Sequence, residues 1–144
     1  MRVLLDTNIY LSYLLGANDE SAIRKVVEAG VQGKFIFLLP DALWDELIAV
    51  IKRKPYFHQR ITVEQVALLR DILHPFSEKM REIAVPIPRV VRDVKDDYLL
   101  AHALLDNADY LVTGDADLLT LDPVGKLRII SPRAFATLLE TIEG

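Results

Sequence analysis

Acidic residues follow two of the apolar segments that have the character of β-strands. Asp6 comes directly after the run Val3-Leu4-Leu5, and Asp115 and Asp117 come just after the run Tyr110-Leu111-Val112-Thr113. Short apolar runs of this kind are typical of strands buried on both faces of a parallel sheet. Because the carboxyl ends of parallel strands meet at one edge of the sheet, we expect these carboxylates to gather there.

Further acids stand on predicted helices. Glu46 borders the apolar stripe of a helix after the second strand, since positions 43, 46, 47 and 50 share one helical face. Asp96 and Asp97 lie at the expected start of a later helix, where free N–H groups and the helix dipole favour a carboxylate. The sequence therefore offers acids from strands and from helices to one shared site.

Carboxylates brought together in this way repel one another, and the repulsion grows as water is excluded. A bound divalent cation offsets that repulsion. The chain has no cysteine and only three scattered histidines, His58, His74 and His102. The ligands would therefore be oxygen atoms, which suit Mg²⁺ or Mn²⁺ and not zinc. Such a site binds a phosphodiester and activates water, so we expect hydrolysis of phosphoryl groups.

Each of these residues also has a purely structural interpretation when it is taken alone. Asp6, Asp96 and Asp117 stand where a side chain commonly caps a helix. Glu46 alone is an ordinary solvated helix acid. Asn8 bonds either the Asp6 carboxylate or a metal-bound water, or it simply forms a turn. Their common position at one edge of the sheet is what favours the joint interpretation.

Length and composition narrow the class of protein. The 144 residues suit a single domain over 1–144. A net charge of −4 argues against a DNA-coating protein, so a nucleic acid would have to meet a local basic patch. The longest apolar runs are far too short to span a membrane, and the strand-like N-terminal segment is no signal peptide. We expect a soluble, cytoplasmic protein.

The hydrophobic pattern alternates strands with helices along the whole chain. We predict strands at Val3–Leu5, Phe35–Leu39, Ile83–Val85, Tyr110–Thr113 and Leu127–Ile130. We predict helices that begin near Thr7, at Ser21, after a cap at Asp41, after a capping box of Thr62 with Gln65, at Asp96 or Asp97, at Asp115, and at Pro132 behind Ser131. The helix from Asp96 or Asp97 should turn Leu99, Leu100, Ala103 and Leu104 inward. This alternation predicts an α/β fold, a parallel sheet covered by helices.

Basic residues are the candidates for contact with a nucleic acid. The candidates are Lys52, Arg53, Lys54, Arg60, Arg89, Arg92 and Lys95. Together they are predicted to form a rim around the acidic centre that tracks phosphates. Basic residues also suit the C-terminus of a helix without any ligand, so a solvated helix end is the alternative for Lys52–Lys54.

The order of these motifs resembles that of PIN-domain proteins over essentially the whole chain. The resemblance rests on Leu4-Leu5-Asp6-Thr7-Asn8, the helix of Glu46, Lys95-Asp96-Asp97 with Ala101 and Ala103, and Leu111-Val112-Thr113-Gly114-Asp115-Ala116-Asp117. The closing segment Ile129–Phe135 is similar to that of small prokaryotic PIN proteins that act as VapC-like ribonuclease toxins of toxin–antitoxin pairs.

This resemblance implies a three-layer α/β/α domain with a central parallel sheet of four to five strands. It also implies an endoribonuclease that depends on Mg²⁺ or Mn²⁺. The implied catalytic and metal-binding residues are Asp6, Glu46, Asp97 and Asp115, with Asn8, Asp96, Thr113 and Asp117 in support. The spacing to Ala101 favours Asp97 over Asp96 as the ligand. Proteins of this kind commonly form homodimers and are silenced by an antitoxin protein that inserts into the acidic groove.

Other classes of protein fit the residues less well. A haloacid-dehalogenase-like phosphatase would need an acid two residues after Asp6, where this chain has Asn8, and a downstream lysine. The stronger alternative is a catalytically silent PIN-like module that binds RNA or a protein. The complete acidic set disfavours that module, because a retired site has no physical reason to keep acids that repel one another.

Overall fold

The computed structural model describes residues 1–18, 21–78 and 94–143, without the side chains of residues 94–97 and 143. The strands are β1 (Arg2–Leu5), β2 (Ile36–Leu38), β3 (Ser77–Glu78), β4 (Tyr110–Val112) and β5 (Arg128–Ile130). They form one sheet in the order β3-β2-β1-β4-β5, and every neighbouring pair is parallel. The predicted parallel sheet of four to five strands is confirmed.

Helices surround this sheet. They are α1 (Thr7–Leu14), α2 (Ala22–Val31), α3 (Asp41–Arg53), α4 (Pro55–His58), α5 (Val63–Leu73), α6 (Val94–Leu105), α7 (Ala116–Leu119) and α8 (Pro132–Glu143), with a 3₁₀ turn at His74–Phe76. Helix α2 packs on α8 and α1, and α3 packs on α1, α4 and α5. The predicted three-layer α/β/α fold is confirmed. Within the described ranges, no helix combines the length and the apolar character that crossing a membrane requires.

The central strands lie at the heart of a continuous hydrophobic core. Leu4, Leu5, Leu111 and Val112 are fully buried, and Leu4 stands opposite Leu111 in the β1–β4 register. Side chains on both faces of these strands are buried. For this reason the strands are continuous apolar runs and do not alternate apolar with polar residues. Trp44 of α3 is also buried in this core, so it belongs to the packing and is no platform for a nucleic-acid base.

Helix caps follow the sequence signals in three places. Thr62 and Gln65 form a complete capping box at the start of α5. The Ser21 hydroxyl accepts a hydrogen bond from the Arg24 N–H at 3.1 Å, and the Ser131 hydroxyl accepts one from the Ala134 N–H at 3.2 Å. These caps satisfy N–H groups that the first turn of a helix leaves without an internal partner.

Several sequence predictions were wrong. Asp41 does not cap α3: Pro40 occupies the N-cap position, and the Asp41 carboxylate instead accepts a hydrogen bond from Arg70 of α5 at 2.8 Å. Helix α6 begins at Val94, so Asp96 and Asp97 lie inside its first turns and do not open it. Leu104 was predicted to point inward, but it is 43% exposed because it lies at the end of α6, beyond the helix face that the core covers.

Other differences concern where strands and short helices lie. The predicted strand Ile83–Val85 falls outside the described residues. The edge strand β3 was missed because its two polar residues, Ser77 and Glu78, carry no apolar pattern. Helix α4 was also missed, since four residues are too few for a helical period to show.

Candidate active site

The site lies where the connectivity of the sheet reverses. The chain moves from β1 to β2 and β3 on one side, and from β4 to β5 on the other, so β1 and β4 are the neighbours at the switch point. In open parallel sheets this crevice, beyond the carboxyl ends of the strands, is the usual place for a ligand. The first residues beyond those ends are Asp6 after β1 and Thr113 after β4.

Backbone hydrogen bonds hold both residues to the sheet. The Asp6 N–H donates to the Val112 carbonyl at 2.9 Å, and the Thr113 N–H donates to the Ile130 carbonyl at 3.0 Å. The parallel register thus continues one residue past each strand. As a result, the positions of the two side chains are determined by the rigid sheet and not by a mobile loop.

The Thr113 hydroxyl connects the two strand ends. It donates to Asp6 Oδ2 at 2.6 Å and accepts a hydrogen bond from the Asp115 N–H at 3.0 Å. Thr113 is fully buried, and Asp6 is only 4% exposed. This short bond between a hydroxyl and a carboxylate orients Asp6 and ties it to the turn that carries Asp115.

Asp6 is not simply a helix cap. It occupies the N-cap position of α1, but its side chain makes no capping hydrogen bond. A carboxylate at this position ordinarily accepts a hydrogen bond from the second or third N–H of the helix. The backbone N–H groups of Asn8 and Thr7 still lower the pKa of this carboxyl group, so Asp6 keeps a weak capping role beside its short hydrogen bond from Thr113.

Burial raises the pKa of the Asp6 carboxyl group above its ordinary value of 3.8, and the nearby charge of Asp115 raises it further. The Thr113 hydroxyl and the backbone N–H groups of Asn8 and Thr7 act in the opposite direction without compensating fully. Among the described residues, no cationic side chain is one of the groups that shift this pKa. A bound cation would supply the missing charge and restore the carboxylate form.

Glu46 reaches the same region from α3. Its Oε2 lies 3.4 Å from the hydroxyl of Thr7, the residue after Asp6. The distance is at the long end for a hydrogen bond, so the contact orients Glu46 only loosely. Thr7 is buried, and its part in the site was missed. The only signal was its place between two candidate residues, Asp6 and Asn8.

The turn after β4 presents Asp115 and Asp117. Asp115 is the N-cap of α7, and its Oδ1 accepts a hydrogen bond from the Asp117 N–H at 2.8 Å. Asp117 was considered as the cap of this helix, but it lies in the first turn. The cap bond fixes the rotamer of Asp115 within the part-buried turn that also contacts Thr113.

Asn8 acts on Asp6 through its backbone N–H. Its side chain is exposed on α1, whereas its backbone N–H lowers the pKa of Asp6. The proposed supporting role of the Asn8 amide therefore stays a prediction.

The side chains of Lys95, Asp96 and Asp97 lie outside the described residues, but Tyr98 shows what their helix faces. Burial raises the pKa of the Tyr98 phenol, and the charges of Glu46, Asp41 and Asp45 raise it further. These three acids belong to the first half of α3. The first turns of α6, which include the backbone of Asp97, therefore lie beside α3 near Glu46. Sequence reasoning missed Tyr98, since nothing in its spacing pointed to α3.

The described side chains alone do not complete a metal site. Among them, no three carboxylates or imidazoles stand close enough together to hold an ion. The quartet of Asp6, Glu46, Asp97 and Asp115 includes one side chain outside the description, so it stays a prediction. The chemistry of the donors nevertheless fits Mg²⁺ or Mn²⁺: they are oxygen atoms only, and no cationic side chain of the described residues is among the groups that shift the pKa of the buried Asp6 carboxyl.

The basic residues fall at different distances from this centre. Lys52 and Arg53 are exposed in the last turn of α3, with Lys54 directly after it, roughly 10 Å along the helix axis from Glu46. Arg60 donates to the Tyr56 carbonyl at 2.8 Å, and its guanidinium lies 4.0 Å from the centre of the Tyr56 ring. Arg89, Arg92 and the Lys95 side chain are outside the described residues, so the predicted rim stays untested.

Fold and site together define an α/β/α domain with acids at the switch point of a parallel sheet. The sequence model of the PIN domain family matches residues 2–117. The chain belongs to the PIN domain family.

Solved structures of similar fold include the crystal structure of VapBC2 from Rickettsia felis bound to a DNA fragment from their promoter. The alignment covers 91% of this chain and 98% of that chain, with a TM-score of 0.57 and 16% sequence identity. No curated protein matched the sequence.

Proposed function

We propose that this protein is a divalent-metal-dependent endoribonuclease, the toxin component of a toxin–antitoxin pair, with residues 1–144 forming one nuclease domain. The observation that carries the proposal is the buried Asp6 carboxylate at the β1–β4 switch point, held by Thr113 and opposed by Asp115. Burying a carboxylate without a cationic partner is unfavourable unless a ligand neutralises it. Membership of the PIN family, whose members are generally nucleases that use divalent ions, supports the same conclusion.

The residues would divide the work as follows. Asp6, Asp97 and Asp115 hold Mg²⁺ or Mn²⁺, and Glu46 completes the site or helps to hold a second ion. When bound, the ion supplies a water activated at neutral pH and stabilises charge that develops on the phosphate. The residues that support these ligands are Asn8, Asp96, Thr113 and Asp117.

The chain's own side chains prepare the site before any ligand arrives. Thr113 fixes one oxygen of Asp6 through its 2.6 Å hydrogen bond, which leaves the carboxylate little rotational freedom to lose on binding. Thr7 restrains Glu46 from the neighbouring helix. Burial of Asp6 and Thr113 lowers the local dielectric and strengthens every charge interaction inside the site.

We also propose partners and a compartment. The VapBC2 complex of similar fold contains a VapB component, which supports a cognate antitoxin protein that covers the acidic edge of this chain. The substrate would be RNA, contacted by Lys52, Arg53, Lys54, Arg60, Arg92 and Lys95. A homodimer in the cytoplasm is the expected state.

The test is cleavage of a labelled, structured RNA by the purified protein with Mn²⁺, Mg²⁺ or EDTA. Asp6→Asn should lower the metal-dependent rate at least about a hundredfold, because metal-ion catalysis contributes several kcal/mol. Asp122→Asn is the matched control, since it makes the same substitution in an acid that Arg128 already neutralises. The control should cleave at the rate of the unmodified protein.

Other outcomes separate the remaining classes. Cleavage that is equal in Asp6→Asn would remove Asp6 from the site and point to a contaminating nuclease. RNA binding without cleavage in any metal would favour the catalytically silent module. Mn²⁺ calorimetry on the same pair then decides whether the metal site exists, because binding that is lost in Asp6→Asn requires the carboxylate.

A further inference from the structure

A groove of about 360 Å³ lies between helices α2 and α8. Its lining consists of Ala22, Lys25, Arg133, Ala136, Thr137 and Glu140. Two of these residues are alanines, so a bulky chain can approach the helix backbones closely. Neither of its cations belongs to the basic rim predicted from the sequence.

The first turns of α2 and α8, which contribute Lys25 and Arg133 to the groove, lie toward the edge of the sheet that carries Asp6. Helix α8 follows β5 directly, and Arg133 lies three residues beyond Ile130, which bonds Thr113. That span is at most about 11 Å of chain. Helix α2 returns the chain to the start of β2, so its first turns, with Lys25, also lie toward the carboxyl edge. An RNA strand of a few nucleotides is therefore long enough to contact both cations and the acidic centre.

These two cations are available for a ligand. Neither Lys25 nor Arg133 forms an ion pair or a side-chain hydrogen bond within the described part of the chain. By contrast, the neighbouring Arg24 is paired with Glu28 at 2.8 Å. The groove lining places these two exposed cations beside one acid, Glu140, so it is locally positive on a protein of net charge −4.

From this placement we infer that the α2–α8 groove carries the RNA strand to the acidic centre, with Lys25 and Arg133 each contacting a backbone phosphate. The inference rests on the proposed ribonuclease function and adds the path of the substrate. Glu140 also lines the groove, about two turns after Arg133 on α8. Its negative charge repels a phosphate there. The strand therefore crosses the N-terminal halves of α2 and α8 and does not follow the groove to its far end. Contacts of this kind position the strand without reading its sequence.

The experiment measures binding separately from cleavage. A fluorescein-labelled single-stranded RNA is titrated with Asp6→Asn protein in EDTA at several salt concentrations, and anisotropy gives the Kd. In that background, Lys25→Gln with Arg133→Gln should weaken binding about tenfold at low salt and reduce the salt slope by about 1.4. Lys34→Gln with Lys126→Gln removes the same charge from the amino edge and should leave both quantities unchanged.

The outcomes distinguish this inference from the proposed function. If the protein with an intact Asp6 cleaves RNA but the groove variant keeps the Kd, the salt slope and the KM, the groove inference is overturned and the nuclease stands. If Lys52→Gln with Arg53→Gln carries the loss instead, the strand runs along α3 and the inference is again overturned. Protein that neither binds nor cleaves RNA overturns both proposals. Melting temperatures of all variants show whether any loss reflects misfolding.

Discussion

Two groups of acids around the central sheet differ in their partners. In the first group, Arg2 bonds Glu78 at 3.1 and 3.0 Å, Arg128 bonds Asp122 at 2.9 and 3.1 Å, and Arg70 bonds Asp41 at 2.8 Å. By contrast, Asp6 accepts a hydrogen bond from the Thr113 hydroxyl, and no described cationic side chain is among the groups that shift its pKa. The acids that support the fold are thus paired with arginines.

The pKa values follow the same division. Hydrogen bonds from Arg128 and from the Ile129 N–H hold the pKa of Asp122 below 3.8. Burial holds the pKa of Asp6 above that value. A carboxylate kept buried without a cation has a cost to stability, and the proposed metal ion would give a physical reason for keeping it. The contrast therefore separates Asp6, the proposed functional acid at the switch point, from the arginine-paired acids that support the fold.

The largest difference that we expect between Asp6 and Asp122 is in how much added metal stabilises the folded protein. Mn²⁺ at about a hundred times its Kd should stabilise the protein by about 2.7 kcal/mol, or roughly 5–10 °C in Tm. Asp6→Asn should lose this response and Asp122→Asn should keep it, as thermal unfolding with and without Mn²⁺ would show. A response that survives in Asp6→Asn would place the ion elsewhere.

An intermediate effect is expected for the hydroxyl that orients Asp6. Thr113→Val keeps the shape of the side chain but removes the bonds to Asp6 and to the Asp115 N–H. We expect the rate of RNA cleavage to fall about tenfold, equivalent to about 1.4 kcal/mol. Thr113→Ser retains the hydroxyl and should restore most of the rate. If valine and serine behave alike, the hydroxyl does not position Asp6.

The smallest effect is a difference in the pH dependence of stability, measured by thermal unfolding in EDTA. Because the folded-state pKa of Asp6 is raised, its favourable contribution is present below pH 3.8 and is lost as the pH rises through the folded value. Asp6→Asn should therefore raise Tm at pH 7, by about 2–4 °C for each kcal/mol recovered.

Asp122 should give the opposite sign. Its folded-state pKa is lowered, so its contribution is present above pH 3.8 and is lost as the pH falls through the folded value. Asp122→Asn should lower Tm at pH 7 and have little effect in strong acid. The same sign for both variants at pH 7 would contradict the division between Asp6 and the arginine-paired acids.

The amino-acid sequence by itself determined the features that depend on neighbours along the chain. The apolar runs of β1 and β4, the Thr62–Gln65 capping box and the Ser131 cap were all readable, because burial pattern and capping act over a few residues. The acids after β1 and β4 could be named as candidates on the same local grounds.

Only the tertiary structure decided which of these groups meet. The Thr113–Asp6 bond joins residues 107 positions apart, and the Arg2–Glu78 bond joins residues 76 positions apart. Strand order placed β4 beside β1, and no local pattern encodes that order or the two-residue strand β3 that receives no apolar signal. Whether an acid is paired with an arginine or left for a metal ion depends on these long-range neighbours, because charge interactions follow distance in space and not separation in sequence.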